Sequence, residues 1–218
     1  MLDRNKLLEL YNRLYTAYGP QYWWPADTAF EVMVVAVLTQ NTAWTNVEQA
    51  IANLQAAGKL ALDPLSRMTE RRLARLIRPS GYFNVKARRL QALCAWLQTA
   101  GGIRKLRNIS TERLRPALLA VHGIGPETAD AILLYAFDRP VFVIDAYTRR
   151  LLKALRLING NELYELLRSR FEAALADDTA TFNEYHALIV RHAKEKCTGT
   201  NVCRHCLVER QLPKKYKI

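Results

Sequence analysis

Apolar residues recur at helical spacing in almost every segment of this chain, and this periodicity limits the possible folds more than any other feature. Near the N-terminus, Leu7, Leu10, Leu14 and Tyr18 lie three or four positions apart, which places them on one face of a helix. Turn-forming Gly and Pro residues separate the periodic segments. Only RPVFVI, residues 139–144, is typical of a strand. The sequence therefore predicts an all-α fold.

The length and charge of the chain restrict its partners. Its 218 residues suffice for one sizeable core or for two small lobes. The net charge is +12 and the basic residues are spread along the chain, which favours a polyanion, either nucleic acid or an anionic membrane. The longest apolar run, Val32 to Leu38, is far shorter than the ~20 residues of a membrane-spanning helix. The sequence therefore favours nucleic acid and argues against a membrane.

The two ends of the chain indicate where the protein works. The N-terminal segment mixes acids and bases in an amphipathic pattern, unlike a secretory signal. Three of the four cysteines lie close together near the C-terminus, which does not resemble a secreted disulfide framework. We therefore expect a cytoplasmic, nucleoid-associated protein.

The stretch VHGIGPETAD, residues 121–130, predicts a tight turn between a helix at residues 112–120 and a helix at residues 126–137. Glycine adopts a positive φ in such a turn at little cost, Ile124 can fill the core, and Pro126 suits the first position of a helix. Outward amides and the positive end of the second helix would then bind a phosphate without reading sequence. An ordinary helical hairpin explains the glycines equally well.

Three further motifs, together with this hairpin, carry a resemblance to a known family. They are LTQNT at residues 38–42, SGYFNVKARRL at residues 80–90, and VIDAYTRRL after the hairpin. In this order they make residues 24–155 resemble the helix-hairpin-helix, or endonuclease III-like, DNA glycosylase superfamily. The run WWP…AVLTQNT and the GIG, x-Glu, ADAIL pattern most closely resemble its 3-methyladenine DNA glycosylase III branch.

The resemblance implies two helical lobes with a cleft between them. Residues 21–138 would form a helical barrel domain that ends in the helix-hairpin-helix motif at residues 112–137. Residues 1–20 and 139–218 would form the second lobe, which includes the C-terminal segment that carries the cysteines.

The resemblance also implies which residues contact DNA. In this family the loops that contain Gln40 and Tyr82 enter the duplex, fill the gap that an extruded base leaves, and support the helix. Taken locally, these residues are also explained as a loop cap and a packed surface aromatic. The predicted DNA-binding residues are Gln40, Asn41, Tyr82, His122, Gly123, Gly125, Glu127 and Thr128.

Two acidic residues determine the predicted chemistry. Asp145 opens the helix AYTRRLLKAL, where it is a good N-cap; in the family it would also be catalytic, stabilising an oxocarbenium-like sugar or orienting a water onto it. Bifunctional members carry a lysine two residues after the last hairpin glycine, and this lysine forms a Schiff base. Glu127 occupies that position here, which predicts a glycosylase without lyase activity. Lys153 remains an alternative amine.

Four residues are predicted to form the base pocket: Trp23, Trp24, Pro25 and Trp44. An extruded base stacks on aromatic faces, and a cationic, alkylated base gains a cation–π interaction with indole. Core packing is the alternative for any one of these tryptophans. An alkylated purine already carries positive charge and leaves with little help from an acid, which agrees with the lack of an obvious acid–base pair in the motifs.

Three C-terminal cysteines, Cys197, Cys203 and Cys206, have the spacing C-x5-C-x2-C. Endonuclease III-like members hold a [4Fe–4S] cluster on four cysteines, but here the first gap is one residue short and the fourth position is Leu212. A cluster completed by another residue such as His192 or His205, a zinc ion, and three idle thiols all remain open. Cys94 is expected to be a buried small hydrophobe.

We therefore expect a DNA N-glycosylase of base excision repair that releases an alkylated purine, such as 3-methyladenine, and leaves an abasic site. Its partner would be double-stranded DNA with a damaged base, bound by a monomer. One alternative is an endonuclease III-like glycosylase and AP lyase for oxidised pyrimidines. The other is a non-catalytic DNA-binding protein that uses the hairpin alone.

Overall fold

The computed structural model describes residues 3–23, 26–175 and 178–197, and within these ranges every regular secondary-structure element is a helix. No strand occurs in the described residues, and none of their helices is long and apolar enough to cross a membrane. The helices are α1 Arg4–Tyr18, α2 Ala29–Leu38, α3 Trp44–Ala56, α4 Leu62–Ser66, α5 Glu70–Leu76, a 3-10 helix Arg78–Ser80, α6 Phe83–Thr99, α7 Gly102–Leu106, α8 Thr111–Leu119, α9 Pro126–Phe137, α10 Ala146–Ala154, α11 Tyr164–Leu175 and α12 Thr179–Lys196. The all-α prediction is confirmed.

The chain divides into two compact units. One, the continuous unit, runs from Trp24 to Arg139 and contains α2 to α9. The other, the discontinuous unit, joins α1 to the chain from Pro140 onward, with α10 to α12. The sequence placed these boundaries at 20/21 and 138/139.

The core of the continuous unit is built around α2 and α9. Helix α2 is apolar on all sides, with Phe30, Val34 and Leu38 among its buried residues, as expected of a helix surrounded by others. It packs against α9, α6 and α3. Helix α8 is tied to α9 by an ion pair in which Arg115 Nε donates to Asp130 Oδ1 at 2.7 Å. This packing fixes the position of the turn between α8 and α9.

The discontinuous unit packs α1 against α11 and α12, and α10 against α12. Phe142 lies at its centre, stacked on Phe171 with ring centroids 4.1 Å apart. The Tyr185 hydroxyl on α12 donates to the Leu7 carbonyl at 2.9 Å, which joins the N-terminal helix to the C-terminal half of the chain. Helix α10 is therefore held on a well-packed support.

The strand expected at RPVFVI, residues 139–144, is absent from the structure. The segment is non-helical, and Val141 to Ile144 are all buried. Its backbone is satisfied by side chains, since the Phe142 N–H donates to Glu172 Oε1 at 3.0 Å and the Ile144 N–H to the Tyr164 hydroxyl at 3.4 Å. The β-branched residues reflect burial in the core, because no neighbouring strand is present in the described chain.

Helix α5 has a side-chain cap at its N-terminus, whereas helix α6 has none. Thr69 Oγ1 accepts the Arg72 N–H at the start of α5. Helix α6 begins one residue before Asn84, at Phe83, and its cap is Tyr82, whose side chain makes no capping hydrogen bond. Tyr82 has φ +45°, a left-handed conformation that non-glycine residues rarely adopt, and local sequence preference does not predict it.

Candidate active site and nucleic-acid interface

The turn between α8 and α9 has the geometry that the sequence predicted. Gly123 has φ +85°, Ile124 is buried, and Gly125 caps α9, whose first residue is Pro126. A Cβ added at Gly123 would overlap the Arg89 side chain, so both backbone conformation and space require glycine there. The N–H groups of Gly125 and Thr128 find no acceptor within the described chain, as first-turn geometry dictates.

Gly125 and Thr128 are among the hairpin residues that line an open hollow of about 640 Å³, together with Gln40, Asn41 and Arg89. His122, Gly125 and Glu127 are exposed at its edge. The positive end of α9 and an arginine beside the same hollow suit an anion. The surface can therefore hold a backbone phosphate.

Gln40 is bonded to the hairpin and does not extend into solvent. Its Nε2 donates to the Gly123 carbonyl at 3.1 Å and to Thr128 Oγ1 at 2.9 Å, and its Oε1 accepts from the Arg89 guanidinium. Asn41, the next residue, is exposed with φ +52°. Of the two neighbours, Asn41 is the one whose side chain is available to a ligand, while Gln40 and the buried Thr128 connect the loop to the hairpin.

Lys86 is a functional candidate that sequence reasoning missed. It is 1 % exposed, and its Nζ donates to the Leu38 carbonyl at 2.7 Å, to Thr42 Oγ1 at 2.5 Å and to the Ser80 carbonyl at 2.7 Å. Burial, and then the charge of Arg89, lowers the pKa of Lys86 to about 8. This lysine joins the loop that carries Gln40 to the turn that presents Tyr82, which is 71 % exposed.

A sequence signal for Lys86 existed. Lys86, Leu90, Leu93 and Leu97 recur at spacings of four, three and four, and all are buried on one face of α6. A lysine at a buried position of an apolar helical face is expected to donate hydrogen bonds to groups inside the protein, since a buried charge without partners is costly.

Asp145 caps α10, as predicted. Its Oδ1 accepts the Thr148 N–H at 2.7 Å, and its Oδ2 lies 3.5 Å from His186 Nε2 on α12. Burial by itself raises the pKa of Asp145, but the neighbouring His186 and the hydrogen bond from the Thr148 N–H outweigh it and hold the pKa below the ordinary 3.8. The carboxylate is therefore ionised at neutral pH although it is largely enclosed.

Two of the four predicted base-pocket residues lie in the described residues, and they belong to different compact units. Trp23 belongs to the discontinuous unit, where its ring lies 5.8 Å from the His186 ring at an angle of 35°. Trp44 belongs to the continuous unit, starts α3, and donates from Nε1 to Glu48 Oε1 at 2.7 Å. Trp24 and Pro25 lie outside the described residues. Both described tryptophans are half-buried, so neither is absorbed completely into a core.

The predicted metal segment lies largely outside the described residues. Cys197 is buried at the end of α12, whereas Cys203, Cys206 and His205 fall in the part not described. His192 Nδ1 is hydrogen-bonded to the Tyr18 hydroxyl at 2.8 Å, and burial lowers the pKa of His192 to about 4. Within the described ranges no group of three or more His, Cys, Asp or Glu side chains could hold a metal. Of the three predicted cysteine ligands, only Cys197 lies in the described residues. Cys94, which was not a predicted ligand, is a buried free thiol as expected.

Two helices joined by a glycine turn, followed by a buried aspartate at the next helix cap, define a helix-hairpin-helix protein of the DNA glycosylase class. The family described as the HhH-GPD superfamily of base excision DNA repair proteins matches residues 34–176. The chain belongs to this superfamily and is a DNA glycosylase of base excision repair.

Known DNA glycosylases align with this chain over most of its length. The chain is 41 % identical to the candidate DNA repair glycosylase MJ1434 of Methanocaldococcus jannaschii, over 93 % of this chain and 94 % of that one. It is similar in structure to the H. pylori 3-methyladenine DNA glycosylase MagIII bound to 1,N6-ethenoadenine, with a TM-score of 0.77, 31 % identity, and coverage of 89 % and 99 % of the two chains. It is also 24 % identical to endonuclease III of Sulfolobus acidocaldarius, over 82 % of this chain and 79 % of that one.

Proposed function

We propose that this glycosylase hydrolyses the N-glycosidic bond of an alkylated purine in duplex DNA and leaves the strand intact. The observation that carries the proposal is Asp145, a largely enclosed carboxylate with a lowered pKa. An ionised carboxylate at a sugar stabilises positive charge as the base departs, or orients the water that attacks the anomeric carbon. It does not donate a proton to the departing base.

The groups around Asp145 bear on the substrate. In the described residues His186 and Thr148 are the polar groups that contact Asp145, and we find no second carboxyl group paired with it. A purine alkylated at N3 or N7 is already cationic, so it leaves as a neutral molecule without protonation. Trp23 would add a cation–π contribution of about 1–2 kcal/mol to such a base when water is excluded.

The likeness to MagIII supports the same substrate class. That protein is a 3-methyladenine DNA glycosylase bound to 1,N6-ethenoadenine, and the sequence motifs around LTQNT and the hairpin resemble the same branch. We propose that a monomer binds the duplex through the hairpin and through the loop and turn that carry Asn41 and Tyr82.

Glu127 supports hydrolysis without strand cleavage. It is the second residue of α9 and is exposed beside the hairpin hollow. A carboxylate cannot form an imine with the sugar, so a lysine-type lyase step has no amine at this position. The product is then an intact strand with an abasic site.

The second candidate is an endonuclease III-like glycosylase and lyase for oxidised pyrimidines. The 24 % identity to endonuclease III of Sulfolobus acidocaldarius and the three C-terminal cysteines favour it. Glu127 opposes it, since the lyase needs an amine near the sugar.

The test is incubation of wild type and Asp145→Asn with methylated duplex DNA. Chromatography would measure the released bases, and strand breaks would be scored before and after alkali. We expect wild type to release 3-methyladenine with breaks only after alkali, and Asp145→Asn to release it about 100-fold or more slowly with unchanged DNA binding.

Asp63→Asn is the matched control, because it makes the same substitution at an exposed aspartate on α4 and should leave the rate and products unchanged. Direct nicking of oxidised DNA by wild type, with no alkylated base released, would instead establish the endonuclease III-like activity. Duplex binding without release of any base would establish the non-catalytic alternative.

A further inference from the structure

His186 is a buried imidazole to which the proposed reaction assigns no role. It lies on α12 and is 5 % exposed. Its Nε2 faces Asp145 Oδ2 at 3.5 Å, and its ring lies against Trp23 on one side and presents an edge to Phe142 on another. One side chain therefore touches both the predicted catalytic carboxylate and a predicted base-stacking ring.

The segment that carries Trp23 is fastened to the same helix as His186. The Gln21 N–H donates to Glu184 Oε1 at 2.7 Å, and the Arg191 guanidinium donates to Gln21 Oε1 at 3.1 Å. Glu184 and Arg191 lie on α12, either side of His186. Trp23 and His186 consequently keep a fixed relation to one another.

His186 also supplies what the helix cap of Asp145 lacks. The cap fixes Oδ1 through the Thr148 N–H, but a carboxylate held at one oxygen can still rotate about its Cβ–Cγ bond. His186 is the group that faces the second oxygen. The nearby imidazole also offsets the rise in the pKa of Asp145 that burial causes.

We propose that His186 is a positioning residue that orients and ionises Asp145 and links it to Trp23, so that base stacking and the carboxylate depend on one imidazole. The link to base release rests on the proposed glycosylase function, whereas the control of Asp145 is a property of the folded chain alone. A misplaced reacting group can lower a rate by about 100-fold, and a carboxylate that has lost its polar neighbour would also protonate more readily.

Two substitutions separate the two contacts of the imidazole. His186→Phe keeps a ring beside Trp23 and removes the polar partner of Asp145. His186→Gln keeps a neutral donor near the position of Nε2 and removes the ring. Tyr185→Phe is the control, since it removes a buried hydrogen bond to Leu7 on the same helix without touching Asp145.

The first readout is the pKa of Asp145, measured by carbon-13 NMR titration of aspartate-labelled full-length protein. The groups that act on Asp145 are His186 from α12 and Thr148 from α10, while Trp23 and Phe142 are neutral. We expect the pKa of Asp145 to be higher in His186→Phe than in wild type, and unchanged in Tyr185→Phe. An equal pKa in wild type and His186→Phe would overturn the proposal.

The second readout is the single-turnover rate of base release at saturating enzyme, as a function of pH. We expect His186→Phe to be about 10- to 100-fold slower and to lose further activity as the pH falls toward about 4, where wild type stays level. His186→Gln should recover part of the rate. A uniform loss at every pH, with no recovery in His186→Gln, would mean that the residue only supports the fold and would refute the link. If wild type releases no base but the pKa of Asp145 is higher in His186→Phe than in wild type, the proposed glycosylase function is refuted. The control of the pKa of Asp145 by His186 would still be established.

Discussion

The environment of Asp145 makes the stability of the fold sensitive to acid. The pKa of Asp145 lies below 3.8 in the folded chain and near its ordinary value in the unfolded chain. Its ionised form therefore contributes stability that is present above the unfolded pKa and is lost as the pH falls through the folded pKa. The carboxylate should stabilise the native state at neutral pH but not at strongly acidic pH.

Comparison with Asp145→Asn measures this contribution, because asparagine also caps a helix but does not titrate. We expect wild type to be more stable than Asp145→Asn at neutral pH, and the difference to shrink below pH 3.8. Urea unfolding at a series of pH values gives the free energy of unfolding for each variant. A difference that stays constant down to pH 2 would show that the pKa of Asp145 is not lowered.

At the level of single residues, the sequence predicted the role of some side chains and missed that of others for a physical reason. The capping role of Asp145 was predicted because an N-cap is a local signal, which depends on the residues just after it; its catalytic role was implied by the family resemblance. His186 and Lys86 were missed because their partners are distant in sequence: Lys86 Nζ bonds to Leu38, which lies 48 positions away. Such contacts follow from packing, which periodicity does not specify.

Three elements of the continuous unit meet at Lys86, and the burial of this lysine makes the free energy of unfolding depend on pH in the alkaline range. Helix α6 supplies the lysine, helix α2 supplies the Leu38 carbonyl, and the 3-10 helix supplies the Ser80 carbonyl. The pKa of Lys86 falls from 10.5 to about 8 on folding, so the folded chain binds this proton less tightly than the unfolded chain. The contribution of Lys86 to the free energy of unfolding therefore rises as the pH increases from 8 to 10.5.

We expect the free energy of unfolding of wild type, relative to Lys86→Met, to increase by up to about 3 kcal/mol across this pH range. Chemical denaturation at several pH values measures the difference. Lys105→Met is the control, because Lys105 is exposed and the substitution removes the same charge. A difference in the free energy of unfolding between wild type and Lys86→Met that does not change with pH would mean that the lysine keeps its ordinary pKa.

The element scale is where the sequence was most informative. Spacing of apolar residues located the helices, since burial of one face is what stabilises them. It failed at residues 139–144, where a buried extended segment and a strand have the same composition. There the deciding partners, Glu172 and Tyr164, lie in another part of the chain. It also did not predict the left-handed backbone of Tyr82.

The net charge of +12 implies that DNA binding is strongly dependent on salt. Three exposed arginines, Arg71, Arg75 and Arg78, line a hollow of about 500 Å³ on α5 and the 3-10 helix. Phe83 and Asn84, which directly follow Tyr82, line it as well. A duplex that contacts Tyr82 would therefore have phosphates near these guanidinium groups.

We expect each of Arg71→Ala, Arg75→Ala and Arg78→Ala to weaken binding to damaged and undamaged duplexes alike. Each should reduce the slope of log affinity against log salt by about one, because one phosphate contact is lost. Fluorescence anisotropy over a range of salt concentrations measures the slope, with Arg4→Ala as a control at an exposed arginine on α1. An unchanged slope in all three variants would place the DNA elsewhere.

For the whole molecule, the order of motifs was enough to predict the family and the all-α fold. The sequence could not show that Trp23 and Trp44 belong to different compact units, because both lie within one short stretch. It also grouped Gln40 with the residues that enter DNA, whereas the side chain is bonded to the hairpin. Proximity in sequence and proximity in the fold differ most where the chain passes from one unit to the other.

The contact between Arg89 and the hairpin has a consequence for how this protein can evolve. The Arg89 side chain lies where a Cβ at Gly123 would be placed, so a substitution at Gly123 requires both a residue that tolerates a positive φ and a shift of the arginine. That shift would disturb Gln40, which accepts a hydrogen bond from Arg89. Changes at the hairpin glycine are therefore coupled to a side chain on another helix and, through it, to the loop that carries Gln40.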